Sequence, residues 1–226
     1  MVPGAPRTPT DPGAHAARRP NAPADARRAP TPAEIVAAAR AELGGDRRAW
    51  IVGGAVRDEL LGRPPGDLDL VVDGPAEPFA RALADRLGAS VFAPSGRFAS
   101  LRVLVAGRHV DLAPLRGDGV DADLAARDAT VNAIAREIVA EPGTWGGGSL
   151  AAGPVHDPLG GRADLACGHL RLCSPTALDD DPLRVLRLVR VAAALRLEPE
   201  PAAFAAARRA AAALAAGASD LGESYA

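Results

Sequence analysis

Asp67 and Asp69 are separated by one residue in Asp67-Leu68-Asp69-Leu70-Val71-Val72, a run that reads as a β-strand. Alternate strand residues project to the same face, so both carboxylates reach one point. Two like charges held together are costly without a cation between them. Oxygen ligands of this kind suit Mg²⁺. An isolated Asp-x-Asp also fits a solvated edge or a turn, so its neighbours decide. Asp111, between Val110 and Leu112 in a second alternating run, is placed to add a third carboxylate from a neighbouring strand. Upstream, Gly53-Gly54 sits at a strand-to-helix junction. Glycine there lets the backbone approach a phosphate, and a helix N-terminus favours anions. Arg57 follows one helical turn later, within reach of a phosphate oxygen or of Asp58. A phosphate cradle, an arginine and a carboxylate cluster are the equipment of two-metal nucleotidyl transfer.

A second constellation lies at Asp180-Asp181-Pro182-Leu183-Arg184. It reads as a helix start, with proline in the first turn, acidic residues suiting the dipole, and Arg184 able to pair with Asp180. Arg184, Arg187 and Arg190 recur every third residue as a basic stripe, and Leu183, Leu186, Val189 and Leu195 occupy positions suited to burial. Such a stripe is often a solvated face. Asp181 and Arg184 also allow a chemical reading. An aspartate accepts hydrogen bonds and an arginine donates them, so the pair can imitate the Watson–Crick edge of a base.

These residues need a scaffold. Residues 1–30 hold seven prolines among Ala, Gly and Arg, a composition of disorder. Thr31-Pro32-Ala33-Glu34 is an N-cap with a capping box, opening a helix to about Gly44. A strand is expected at 49–52, a short helix at 55–61, the aspartate strand at 67–72 and a helix at 77–87. A hairpin follows at 99–105 and 109–113, turning at Ala106-Gly107. The pattern then predicts a helix at 122–135, a Gly-rich loop at 141–155 and a short strand at 170–173. Two helices complete it, at 177–195 and from 199 to about 216. Strands interleaved with helices, then helices alone, give an α+β head at 31–174 followed by a helical neck at 175–226.

Composition removes other classes. A net charge of −2 does not announce a nucleic-acid binder, and all 26 basic residues are Arg. Aromatics at 3% leave few base-stacking platforms. Cys167 and Cys173 make neither a zinc site nor a disulfide framework. No apolar run approaches the about 18 residues of a membrane span, and no secretory signal is visible, so a cytoplasmic protein is expected.

The chain resembles the class II tRNA nucleotidyltransferase and bacterial poly(A) polymerase family. The matching segments are Ile51-Val52-Gly53-Gly54-Ala55-Val56-Arg57-Asp58, Asp67-Leu68-Asp69, Asp123-Leu124-Ala125-Ala126-Arg127-Asp128-Ala129-Thr130-Val131-Asn132-Ala133, Asp157-Pro158-Leu159-Gly160-Gly161 and Asp180-Asp181-Pro182-Leu183-Arg184-Val185-Leu186-Arg187. The resemblance implies a polymerase-β-like head with a mixed sheet, followed by the helical neck. It implies transfer of CMP and AMP from CTP and ATP to the 3′ end of tRNA, with Mg²⁺. By the same resemblance, Gly53, Gly54 and Arg57 contact phosphate, Asp67 and Asp69 hold metal, and Asp111 stands in the place of the third carboxylate. Arg127 and Asp128 contact the nucleotide sugar and phosphates. Asp181 and Arg184 read the base, and Arg187 and Arg190 add nucleotide contacts. Ala126, Ala129 and Asp180 stand where the family often has Arg, Phe and Glu. Full-length relatives continue into a helical body and tail that grip tRNA, so the resemblance implies a C-terminally truncated member. Poly(A) synthesis, a partial CC- or A-adding activity and a non-catalytic nucleotide-binding remnant stay open as alternatives. Oligomeric state is not legible.

Overall fold

The computed structural model describes residues 28–44, 46–93, 100–139, 150, 153–179, 181 and 183–223. The expected disorder of the N-terminal segment, most of the Gly-rich loop, Asp180 and Pro182 lie outside the described residues. The first helix, α1 (Pro32–Ala41), starts on the expected capping box. Thr31 Oγ1 accepts from the Glu34 amide at 3.2 Å, and the Thr31 amide donates back to Glu34 Oε2 at 2.7 Å. That backbone bond, with help from Arg28 and the Thr31 hydroxyl, holds the Glu34 carboxyl down at about 2.

A seven-stranded mixed sheet follows. Its strands are β1 (Ala49–Val52), β2 (Leu68–Val72), β3 (Ser90–Phe92), β4 (Leu101–Val105), β5 (Arg108–Pro114), β6 (Ala135–Glu137) and β7 (Val155–His156). Their order is β3-β4-β5-β2-β1-β6-β7. Only β2 and β5 pair in parallel within it. The crossover between them carries α3 (Ala76–Leu87), and α2 (Gly54–Leu60) joins β1 to β2. The period of two divides the sheet cleanly. Ile51, Leu68, Leu70, Val110 and Leu112 face α1 and α3, packing with Ile35, Phe79 and Leu83 in the main core. Trp50, Val52 and Val71 face the other way, under Leu124, Ala133 and Ala135.

The helix expected at 122–135 ends already at Ala125. The chain forms α4 (Val120–Ala125), then a 3₁₀ turn at Thr130–Asn132, then strand β6. The Asp128 carboxylate takes the Ala129 amide at 2.7 Å, and Ala129 is extended, bridging Leu172. Thr130 donates its amide to the Arg171 carbonyl. These tertiary partners outweigh the weak helical preference of an Ala-rich run. Among the described residues, β3, β7, α5 (Gly161–Cys167) and β9 (Glu198–Pro199) escape the sequence pattern, while β8 (His169–Leu170), which pairs with β9, overlaps only the start of the strand expected at 170–173.

The neck differs too. Helix α6 runs only over Arg184–Leu195, because residues 175–179 coil into turns that bury Ala177 and Leu178. Its core face is Val185, Leu188 and Val191, packed on Ala129, Val131 and α7 (Pro201–Glu223) through Ala206 and Ala210. Leu183, Leu186 and Val189, expected to be buried, are 61%, 64% and 62% exposed, while Leu195 is partly buried. A repeat of three cannot place two stripes on one core, and the stripe holding Leu188 and Val191 docks. Among the described residues no helix is long and apolar enough to cross a membrane.

Candidate active site

Register brings the carboxylates together. Asp69 in β2 lies directly beside Asp111 in β5, and Asp67 lies one pleat before Asp69 on the same face. Each has a different neighbour. Arg102 of β4 grips Asp111 with two hydrogen bonds of 2.6 and 2.7 Å. His109 Nε2 lies 3.1 Å from Asp67 Oδ2. Asp69 opens onto the cleft by surface area, yet the protein packed round it is the main cause that pushes its carboxyl above the ordinary aspartate range. Asp111 and Asp67 add like-charge repulsion, which Arg127 and Arg187 partly offset.

Facing these carboxylates is the turn between β1 and α2. Gly53 has φ 74° and ψ −134°, a conformation open essentially to glycine. A Cβ there would stand 3.4 Å from Arg127 Nη1 and 3.6 Å from Asp69 Oδ2, crowding the cleft floor. Arg57 leans over Gly54, donates to Asp58 at 2.8 and 2.9 Å, and reaches Asn132 Oδ1 with Nη1 at 2.5 Å.

The far wall is basic. Asp123, only 1% exposed, accepts from Arg116 Nε at 2.8 Å and from Arg127 Nη2 at 2.9 Å. Burial raises its carboxyl, but the Arg116 hydrogen bond and the charges of Arg127 and Arg116 win and hold it below the usual range. Such a group stabilises the fold above its unfolded value, and the contribution is lost as pH falls through the lowered folded one. Asp123→Asn should therefore cost about 2 kcal/mol at neutral pH, discounted for the partly exposed arginines, and should flatten the acid limb of stability against pH. Urea titrations from neutral to acid pH measure both.

Gly53, Gly54, Arg57, Asp67, Asp69, Asp111, Arg127, Asp128, Arg184, Arg187 and Arg190 all line one cleft of about 580 Å³. Asp181 does not line it. Its Oδ1 takes the Leu183 amide at 3.1 Å, and its Oδ2 lies 3.9 Å from Arg184 Nε. Arg184 Nη1 donates to the Ala177 carbonyl at 2.9 Å, and its expected partner Asp180 lies outside the described residues. Four lining or neighbouring residues escaped the sequence reading: Arg102, His109, Arg116 and Asn132. Asn132 falls inside a segment that carried the resemblance, whereas the other three stand in ordinary strand and loop sequence.

Three oxygen-donating carboxylates suit a hard divalent cation in kind. Asp111 is turned to Arg102 and Asp67 to His109, so they do not close into a ready ligand set. Among the described residues no group of three or more His, Cys, Asp or Glu is placed to hold a metal.

The segment Asp157–Gly161 is structural support. Asp157 caps α5 by accepting the Gly161 and Arg162 amides at 2.7 and 2.9 Å. Gly161 presses on the carbonyl of Thr130, so α5 buttresses the turn that carries Asn132.

Residues 49–171 match the family described as the poly(A) polymerase head domain. The CC-adding tRNA nucleotidyltransferase of Geobacter sulfurreducens is 42% identical over 78% of this chain and 38% of its own length. That of Synechocystis is 38% identical over 68% of this chain and 35% of its own. A solved tRNA nucleotidyltransferase complexed with a primer tRNA and an incoming ATP analog superposes with a TM-score of 0.62. It is 30% identical, over 78% of this chain and 49% of that one. The chain thus spans well under half the length of the curated relatives it matches.

Proposed function

Because the chain belongs to the family of the poly(A) polymerase head domain, together with tRNA nucleotidyltransferases, we propose that it is a nucleotidyltransferase head extending the 3′ end of tRNA with CMP and AMP from CTP and ATP. The observation that carries this is the single cleft joining the Asp69–Asp111 register pair, the Gly53-Gly54 turn and the arginines of α6. In the reaction the RNA 3′-hydroxyl attacks the α-phosphate and pyrophosphate leaves. Gly53, Gly54 and Arg57 receive the triphosphate, since a glycine turn at a helix start and a guanidinium both suit phosphate oxygens. Arg127 and Asp128 hold the sugar side. Arg184, with Asp181 behind it, faces the base, and Arg187 and Arg190 add charge along the neck. Mg²⁺ suits oxygen ligands of this kind. Asp67 and Asp69 would hold it, with Asp111 beside them, and it would supply charge neutralisation for the attacking hydroxyl and the triphosphate. Catalysis is then mostly positioning and electrostatics. On this reading the head domain is residues 31–174, the neck 175–226, and the reaction is a cytoplasmic one.

A narrower reading, addition of C residues only, is favoured by the CC-adding names of both relatives. One assay separates the outcomes. The protein is incubated with Mg²⁺ and tRNA lacking its 3′ CCA, with CTP alone, ATP alone or both, and products are resolved at single-nucleotide length. Two additions with CTP and a third only with ATP present establish CCA addition. Two with CTP and no third mark a CC-adding enzyme. A long ladder from ATP alone marks a poly(A) polymerase. No extension in any lane, and none by ATP of tRNA already ending in CC, with CTP still bound, overturns the transferase reading in favour of a binding remnant.

A further inference from the structure

Asn132 joins two corners of the cleft that the roles above treat separately. Its Oδ1 accepts from Arg57 Nη1 at 2.5 Å, and its Nδ2 donates to Asp128 Oδ1 at 3.1 Å. The side chain is buried in the Thr130–Asn132 turn, only 7% exposed. Asp128 Oδ1 also accepts the Ala129 amide at 2.7 Å, so that oxygen is fully occupied. Its partner Oδ2 is buried and accepts no hydrogen bond, although Asp128 lines the cleft. Arg187 Nη1 lies 3.7 Å from it, beyond hydrogen-bond reach. A dry carboxylate oxygen without a donor is costly, and a hydroxyl arriving in the cleft relieves that cost.

We propose that Asn132 is a positioning residue. It fixes the unpartnered oxygen of Asp128 in register with the phosphate-binding Arg57, so that the cleft selects nucleotides by a hydroxyl of the sugar. The inference rests on the reading of the cleft as a nucleotide site. A carboxamide suits the role because it carries an acceptor at one end and a donor at the other. The cation of Arg57 needs the acceptor and the anion of Asp128 needs the donor. A carboxylate at this position would repel Asp128, and an aliphatic side chain would satisfy neither partner. Asp58 already takes Arg57 Nε and Nη2, so the amide is what ties the remaining arm to the sugar side.

Binding of CTP, 2′-deoxy-CTP and 3′-deoxy-CTP to the full chain in Mg²⁺ tests this. Wild type, Asn132→Asp and Asn132→Leu are compared by calorimetry, with melting curves to confirm folding. Wild type should reject at least one deoxy analogue by about 10-fold or more, the worth of a hydrogen bond to a charged group. Asn132→Asp is nearly isosteric and keeps the acceptor for Arg57. It should bind all three ligands within about 2-fold of one another. Asn132→Leu should do the same with weaker binding overall. Discrimination retained in a folded variant, or absent from wild type, overturns the inference. Extension of tRNA by the same wild-type preparation is scored in parallel. Discrimination that behaves as expected without extension leaves the role of Asn132 standing and removes only the transferase reading.

Discussion

Asp69→Asn should lose nucleotide addition by about 1,000-fold or more, while its melting temperature equals or exceeds that of the wild type. The two halves have one cause. Asp69 is wrapped by protein and flanked by Asp111 and Asp67, and its carboxyl titrates above the ordinary aspartate range. A carboxyl raised in the folded state favours the fold below its unfolded value, and that contribution is lost as pH rises through the raised value. At neutral pH the ionised group therefore weighs against the native structure. The amide removes that burden, and with it the charge that a cation and a triphosphate require. Adding Mg²⁺ should raise the melting temperature of the wild type and leave the variant unmoved. A variant that is markedly less stable, or that still extends tRNA, would contradict the assignment of Asp69 to the metal-binding face.

Gly161→Ala should be the most damaging glycine-to-alanine change among the described residues of the head. A Cβ at this position would stand 2.0 Å from the Thr130 carbonyl oxygen, 2.7 Å from its carbon and 3.1 Å from Ile134 Cγ1. The first two are backbone atoms that cannot swing aside as a long side chain does. We expect a loss of about 4 kcal/mol, at the upper end for a point substitution. In urea the midpoint should fall with little change in slope. Gly44→Ala is the control, because nothing stands within 4 Å of a Cβ there, and it should stay within about 0.5 kcal/mol of wild type. Wild-type stability in Gly161→Ala would mean that α5 does not hold the Thr130–Asn132 turn in place.

Much of the site was legible because it obeys local rules. Asp67 and Asp69 alternate on a strand, Gly53-Gly54 breaks a strand into a helix, and Arg57 stands one turn on. Each follows from spacing alone. The β2–β5 pairing is different. No spacing reveals that Asp69 will lie opposite Asp111 and not a residue away, because that register is set by the packing of Leu68, Leu70, Val110 and Leu112 under α1 and α3. The helix expected over 122–135 failed for a related reason. Asp128 spends its carboxylate on the nearby Ala129 amide and Asn132 side chain, and Thr130 gives its amide to Arg171, a partner that only tertiary structure supplies. On α6 the period of three was visible, yet Leu186 and Val189 are as apolar as Leu188 and Val191. Composition could not tell the docked stripe from the exposed one. Arg116 was hidden most thoroughly. A loop arginine looks ordinary until the buried Asp123 converges on it.

The parallel partnership of β2 and β5 also bears on how the chain reaches its working shape. Antiparallel neighbours such as β4 and β5 close through a tight turn, an early and inexpensive event. Asp69 meets Asp111 only by closing a crossover that holds α3, β3 and β4 in sequence. Distant contacts of this type are slow to form. The repulsion between the two aspartates also opposes that last step instead of assisting it. The reactive centre is thus assembled late on the folding path, and partly folded chains would carry the hairpin and the helices without the acidic pair.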